Sequence, residues 1–234
     1  MGGTVAAAGA PGRRAGEQTG AVRSTVRHLV LASGSRYRAR LLADHGLAAT
    51  VDPPEVDERS LDHLLATGGP DGLAVELARR KAAAVAPRHP GSVVLAADQV
   101  GVLDGPGGPV MLTKQPERDG AVAQLLAMSG TTHRLVNGVV VLDAASGDLV
   151  AGVDVQVVTM RPFARADAEA YVDRFEPWDT AGSYRLEDQE LLAPGAGLVA
   201  SVSGEHPSGV VGLPLPLVDR LLADLGVVIA PPAG

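Results

Sequence analysis

Val93-Val94-Leu95-Ala96-Ala97-Asp98-Gln99 is an uninterrupted apolar run that ends on a carboxylate and a carboxamide. Lacking alternation, it reads as a strand buried on both faces, the kind found at the centre of a sheet with helices on either side. Upstream, His28-Leu29-Val30-Leu31-Ala32 is a second short apolar strand. The tight loop Ser33-Gly34-Ser35 follows it, then a helical run from Arg36 to His45 closed by Gly46. Pro53-Pro54-Glu55-Val56-Asp57-Glu58-Arg59 reads as loop, and Leu73 to Val85 as a helix with Leu73, Leu77 and Ala84 on one face. Downstream come a turn at Gly105-Pro106-Gly107-Gly108 and a helix from Ala121 to Met128. Leu135–Leu142 and Leu149–Thr159 read as a hairpin joined around Ser146-Gly147, followed by a helix from Ala166 to Phe175. Leu198–Val202 and Val210–Leu213 are expected strands, and Pro214–Leu225 is a closing helix with proline in its first turn. Strands alternating with helices indicate an α/β fold with a mixed sheet, whose ligand cleft is expected beyond the carboxyl ends of the central strands.

The chain has 234 residues, 46% of them apolar and 20% charged, which is enough for a real hydrophobic core. Residues 1–25 are rich in Gly and Ala without periodicity and are expected to form a flexible extension, leaving 26–230 as one domain. The formal net charge is −7, and because Arg13, Arg14, Arg23 and Arg27 lie in the first 28 residues, the body is more acidic still. Such a body argues against a nucleic-acid polymer as partner, since polymer binding rests on many Lys and Arg phosphate contacts. No apolar run approaches the roughly 20 residues that span a bilayer. The absence of cysteine removes disulfides, thiolate metal sites and Cys nucleophiles, and fits a reducing, cytoplasmic location.

Three stretches carry candidate chemistry. Ser33-Gly34-Ser35-Arg36-Tyr37-Arg38 lies where a strand turns into a helix, where free backbone N–H groups and the helix dipole favour an anion and Arg38 can reach a phosphate. The same residues also fit a plain N-cap with a solvated helix face. Asp98 ends a buried strand, with Glu55, Asp57 and Glu58 in a proline-stiffened loop. A carboxylate there can hold a divalent cation or deprotonate a water, or simply cap a turn. Trp178-Asp179-Thr180-Ala181-Gly182-Ser183-Tyr184-Arg185-Leu186-Glu187 has the aromatic and small residues of a pocket wall with Glu187 pointing inward, or of a polar surface turn. Only two of the 20 basic residues are lysine, Lys81 and Lys114. The six histidines are scattered without zinc-ligand spacing, and neither a P-loop nor a Gly-x-Ser-x-Gly elbow is present.

Leu31-Ala32-Ser33-Gly34-Ser35-x-x-Arg38, Ala97-Asp98-Gln99-Val100, Ser129-Gly130-x-Thr132-His133, Asp179-x-Ala181-Gly182-Ser183-Tyr184 and Val211-Gly212-Leu213-Pro214-Leu215 occur in the order found in the Maf family. The chain resembles these nucleoside triphosphate pyrophosphatases from about Leu29 to Leu225. The resemblance implies an elongated, inosine triphosphatase-like α/β fold with a central cleft, often a homodimer. It also implies cleavage between the α and β phosphates of a small-molecule nucleotide with a divalent metal, Mg or Mn. Carried over by position, Asp98 is the proton acceptor; Ser33, Arg38, Lys81 and Lys114 hold substrate; Glu58 and Asp98 hold the metal.

At the positions that discriminate the base, the family's thymidine and uridine triphosphate enzymes have Arg, Thr and Gln. Its 7-methylguanosine triphosphate enzymes resemble Trp, Gln and Glu. Here the three are Tyr37, Gln99 and Glu187. A carboxylate at Glu187 can accept both N1–H and N2–H₂ of guanine, Gln99 can donate to its O6, and Tyr37 or Trp178 can stack on the cationic methylated base. Arg36 stands where the family usually has Pro, and Gln115 separates Lys114 from Pro116. The expectation is an enzyme that removes non-standard nucleotides, 7-methylguanosine triphosphate first among them. A thymidine or uridine triphosphate pyrophosphatase is the alternative, and a non-catalytic nucleotide-sensing protein linked to cell division is the competing class.

Overall fold

The strand that begins at Val93 does not stop at Asp98. The apolar run is only the first part of a 13-residue strand, because a neighbouring strand pairs with it from Val93 to Leu103 and a short return strand covers its far end. The computed structural model describes residues 26–61, 63–189, 191–192 and 196–230, so the expected flexible segment 1–25 lies outside it. In chain order the elements are β1 (Val26–Arg27), β2 (Leu29–Leu31), α1 (Arg36–Asp44), β3 (Ala49–Val51) and α2 (Leu64–Val85). There follow β4 (Val93–Gly105), β5 (Gly108–Leu112), α3 (Arg118–Met128), β6 (Thr132–Asp143), β7 (Leu149–Met160) and α4 (Arg165–Phe175). The last are α5 (Leu186–Gln189), β8 (Val199–Ser203), α6 (Leu215–Asp224) and β9 (Val228–Ile229).

The main sheet has the order β3-β2-β4-β6-β7-β8, with β5 added to the outer half of β4. β2 runs parallel to both β3 and β4, whereas β4, β6, β7 and β8 are successively antiparallel. β1 and β9 form a separate parallel pair. This is the expected mixed α/β sheet with flanking helices.

Side-chain alternation along β4 sorts the core into layers. Val93, Leu95 and Ala97 pack with Leu42 of α1 and Leu217, Val218 and Leu221 of α6. Val94 and Ala96 point the other way, onto Ala78, Ala82 and Val85 of α2. A further core gathers α3 and α4 around Leu125, Met128, Tyr171 and Val172. Each Leu or Val sealed in this way contributes about 1.5–3 kcal/mol.

α2 joins two helical pieces across Gly69, whose φ of 65° breaks the helix just before Pro70. The second piece buries Leu73, Ala74, Leu77, Ala78, Lys81, Ala82 and Val85, while Ala84 is only half-buried. It lies against the sheet at Gly138, where an added Cβ would stand 2.3 Å from the Ala74 carbonyl carbon.

Val210–Leu213 is not a strand. Its backbone hydrogen bonds close locally after a 3-10 turn at Pro207–Gly209: Val210 N to Pro207 O, Gly212 N to Gly209 O, and Leu213 N to Ser208 O. Gly212 has a φ of +92°, which no extended strand adopts. No helix among the described residues is long and apolar enough to cross a membrane.

Candidate active site

The parallel partner β2 stops at Leu31, opposite Leu95, and β5 returns only as far as Leu112, opposite Gly101. Between those two registers, from Ala96 to Val100, this edge of β4 has no strand beside it among the described residues. The gap is furnished from both ends. The Ser33-Gly34-Ser35 loop leaves the end of β2, and Thr113-Lys114 leaves the end of β5. Asp98 and Gln99 therefore sit mid-strand beside an interruption in the sheet, and not at the carboxyl end of β4. The parallel strand β2 does end at this gap, where the Ser33-Gly34-Ser35 loop leaves it.

The alternation that sorts the core also separates these two residues. Asp98 continues the face that meets α2, where Lys81 lies one turn beyond Leu77 and Ala78. Lys81 Nζ donates to Asp98 Oδ1 and lies 2.6 Å from Glu58 Oε1, so the loop carboxylate and the strand carboxylate share one ammonium. Lys81 and Asp98 are each only 8% exposed, whereas Glu58 is exposed. Burial pushes the Asp98 carboxyl above its ordinary range, with the Lys81 and Arg38 cations pulling the other way.

Arg38 reaches the gap from α1. Its Nη1 donates to Ala97 O at 2.8 Å and to Ser33 Oγ at 3.4 Å, and its Nε donates to Gly212 O at 2.9 Å. Burial draws its pKa down, with Asp98 and Glu58 opposing. Three of its five N–H groups thus clamp the β2 loop, β4 and the Gly212 turn together, leaving Nη2 for an anion. Ser33 Oγ, 4% exposed as a residue, accepts from Ser35 N and from Arg38, so its own hydrogen remains to donate. Ser35 caps α1 by accepting from Arg38 N.

Lys114 is exposed, and its backbone bridges to Ala181, which stitches the Asp179–Glu187 segment to the end of β5. Within that segment Arg185 pairs with Asp179, and Glu187 stands exposed in the one-turn helix α5. Trp178 instead packs against the α3–α4 core. Tyr37 is 41% exposed, with the Arg36 guanidinium 5.1 Å above its ring centroid, so one aromatic face already carries a cation.

Gln99 points to the opposite side from Asp98. Its Nε2 donates to Asn137 Oδ1 at 3.0 Å and to Gly209 O and Val210 O at 3.1 Å each. Both amide hydrogens are therefore spent inside the protein, and the atom left for a ligand is the acceptor Oε1. The expectation that Gln99 donates to a guanine O6 is corrected on this point. Asn137, Asp154 and Gln156, which back Gln99, escaped the sequence reading. Their signal was polar side chains at inward positions of otherwise apolar strands.

A buried carboxylate paired with a lysine, a buried arginine and a polar strip meet at a break in the mixed sheet of an α/β protein, and they make up the candidate site. The chain belongs to the Maf family: residues 28–225 match it, under the description Maf-like protein. It is 37% identical over 201 residues to a dTTP/UTP pyrophosphatase of Symbiobacterium thermophilum, covering 86% of this chain and 95% of that one. It is 34% identical over 198 residues to a 7-methyl-GTP pyrophosphatase of Nitrosococcus oceani, covering 85% and 93%. A nucleoside triphosphate pyrophosphatase of Paramagnetospirillum magneticum is 38% identical over 205 residues, covering 86% and 100%.

Proposed function

We propose that this nucleoside triphosphate pyrophosphatase of the Maf family acts on 7-methylguanosine triphosphate. The observation that carries the choice of base is the orientation of Gln99, whose amide hydrogens are held by Gly209 and Val210 so that an acceptor faces outward. Glu187, exposed on the segment stitched to the gap, is a second acceptor. Guanine offers two adjacent donors, N1–H and N2–H₂, and can satisfy both acceptors. Thymine and uracil offer one donor between two carbonyl oxygens and satisfy only one. The free face of Tyr37 suits a base made cationic at N7.

In the proposed reaction Asp98 takes the proton from a water that attacks the α phosphorus. The new P–O bond forms as the bond to the β-phosphate oxygen breaks, and pyrophosphate leaves with that electron pair. Burial keeps Asp98 basic enough for the task, while the Lys81 ammonium holds its carboxylate in place. Ser33 Oγ–H, Arg38 Nη2 and Lys114 meet phosphate oxygens from the two ends of the gap. Glu58 and Asp98 are the residues that would hold a divalent cation, and they fit one, since both already converge on a single cationic nitrogen. Among the described residues no group of three or more His, Asp or Glu gathers for a metal, so phosphate oxygens would complete the shell, as is usual for Mg²⁺. When bound, the cation supplies charge neutralisation along the triphosphate.

The test is pyrophosphate release with Mg²⁺ or Mn²⁺ from 7-methylguanosine, guanosine, thymidine, uridine and cytidine triphosphates, with Asp98→Ala as control. A methylguanine rate well above the others that vanishes in the variant is expected. A pyrimidine preference would transfer the reading to the thymidine and uridine triphosphate activity named for the Symbiobacterium relative. No Asp98-dependent release from any nucleotide would leave binding without catalysis.

A further inference from the structure

Tyr37 is the one aromatic side chain of α1, and its surroundings are cationic. Ser35 caps the helix, so Arg36, Tyr37 and Arg38 make up its first turn, and no acidic residue stands among them. The unpaired N–H groups of that turn and the helix dipole add partial positive charge at the same end. The two arginines behave differently. Arg38 is turned inward and tied to Ala97 O, Ser33 Oγ and Gly212 O. Arg36 is exposed, and its guanidinium lies on Tyr37, with Cζ 5.1 Å from the ring centroid and Nη2 donating to the hydroxyl at 3.3 Å. Beyond α1, the charged side chains that act on Arg36 are Asp179 and Arg185, which pair with each other and so nearly cancel.

That uncompensated charge sits where it bears on the choice of base. An aromatic ring attracts a cation to either face through the same quadrupole. A base stacked on the open face of Tyr37 would lie roughly 9 Å from the guanidinium, with the ring between them. Guanine brings no charge to that place. Methylation at N7 brings a full positive charge, which gains from the ring and is opposed by Arg36 and by the helix end. The triphosphate tail is the same in both nucleotides, so anything Arg36 contributes to phosphate binding it contributes to each equally.

We infer that Arg36 is a specificity-determining residue: its guanidinium, stacked on Tyr37, restrains the preference for a cationic base and so sets how well guanosine triphosphate is accepted beside its 7-methyl form. The inference rests on the reading that a guanine base stacks on Tyr37, and deepens it by naming the residue that limits the gain from methylation.

The test is Arg36→Gln, which keeps a planar amide able to lie on the ring and removes the charge. The readout is kcat/KM for 7-methylguanosine triphosphate divided by kcat/KM for guanosine triphosphate, with kcat and KM separated, at a mildly acid pH where the methylated base keeps its N1 proton and its charge. The expected result is a ratio raised about threefold, through KM, as suits two charges this far apart in a largely solvated setting. The rise should shrink as salt is added, because exposed charges are screened. An arginine that only steers the triphosphate would move both KM values together and leave the ratio where it was. That outcome, or a fall in the ratio, overturns the inference. Arg36→Lys keeps a cation and should leave the ratio near the wild-type value; a rise as large as that of Arg36→Gln would show that charge is not the cause and overturn it too. Tyr37→Leu separates the inference from the reading beneath it. If Tyr37→Leu lowers the ratio while Arg36→Gln leaves it unchanged, the stacking reading stands and the role of Arg36 falls. If Tyr37→Leu leaves the ratio unchanged, or neither guanine nucleotide is hydrolysed, both fall.

Discussion

Lys81 supports two carboxylates at once, and it does so almost out of reach of water. Truncating it to methionine keeps the buried stem and removes the ammonium paired directly with Asp98, leaving only the Arg38 cation nearby. The expected cost is about 3 kcal/mol, read from urea unfolding, together with loss of at least about a hundredfold in kcat. His133 makes a prediction of the opposite kind. Its Nε2 meets Tyr184 OH at 2.7 Å, its Nδ1 is buried with no partner among the described residues, and burial lowers its pKa to about 4. The imidazole is therefore neutral in the fold. As pH falls from about 6.5 toward 4, the unfolded chain binds a proton that the folded chain refuses, so stability is intact above that window and is lost through it. The loss is about 3 kcal/mol for a shift of this size. Denaturant midpoints between pH 7 and pH 4 should fall less steeply for His133→Gln than for the wild type. Both lysines stood out in the sequence by scarcity alone, and Asp98 by ending an apolar run. Asn137 and Asp154 did not stand out, because their importance lies in whom they face across a register that no local pattern announces.

At the scale of elements, the site depends on how closely α2 lies on the sheet. Gly138 is opposite Asp98 in register, and its missing side chain lets the Ala74 backbone rest on β6. Gly138→Ala should lift the helix that carries Lys81. Destabilisation of about 3 kcal/mol is expected, with a fall in kcat larger than that of a surface Gly→Ala variant such as Gly72→Ala. Helix starts, turns and the long hairpin were readable from caps, glycines and apolar runs. The length of β4 was not, since Asp98 and Gln99 look like a strand's end until β6 and β5 are seen to pair beyond them. Val210–Leu213 misled for the converse reason. Its apolar composition suits a strand, but its backbone groups are consumed in consecutive turns.

At the scale of the molecule, β4 and β6 run through every core, so the cores should melt together. Far-UV circular dichroism, which sees the whole sheet, and the fluorescence of Trp178, which packs on the α3–α4 core, should give coincident unfolding curves. Separated transitions would show that the cores are independent. A chelator should abolish activity yet leave Tm nearly unchanged, because Lys81 already neutralises the carboxylates that would hold the metal. A large Tm drop on chelation would show that the cation is structural.

The break between β2 and β5 has a consequence beyond chemistry. A strand with an open side is a seam along which chains can stitch themselves into fibrils. Here that seam is five residues long, from Ala96 to Val100, closed at both ends by its own strands and partly filled by the Arg38 guanidinium on Ala97 O. An extended foreign segment finds too little length to dock, whereas a compact anion finds enough. The notch proposed here to take the nucleotide is thus short enough to shield the protein from polymerising along this edge.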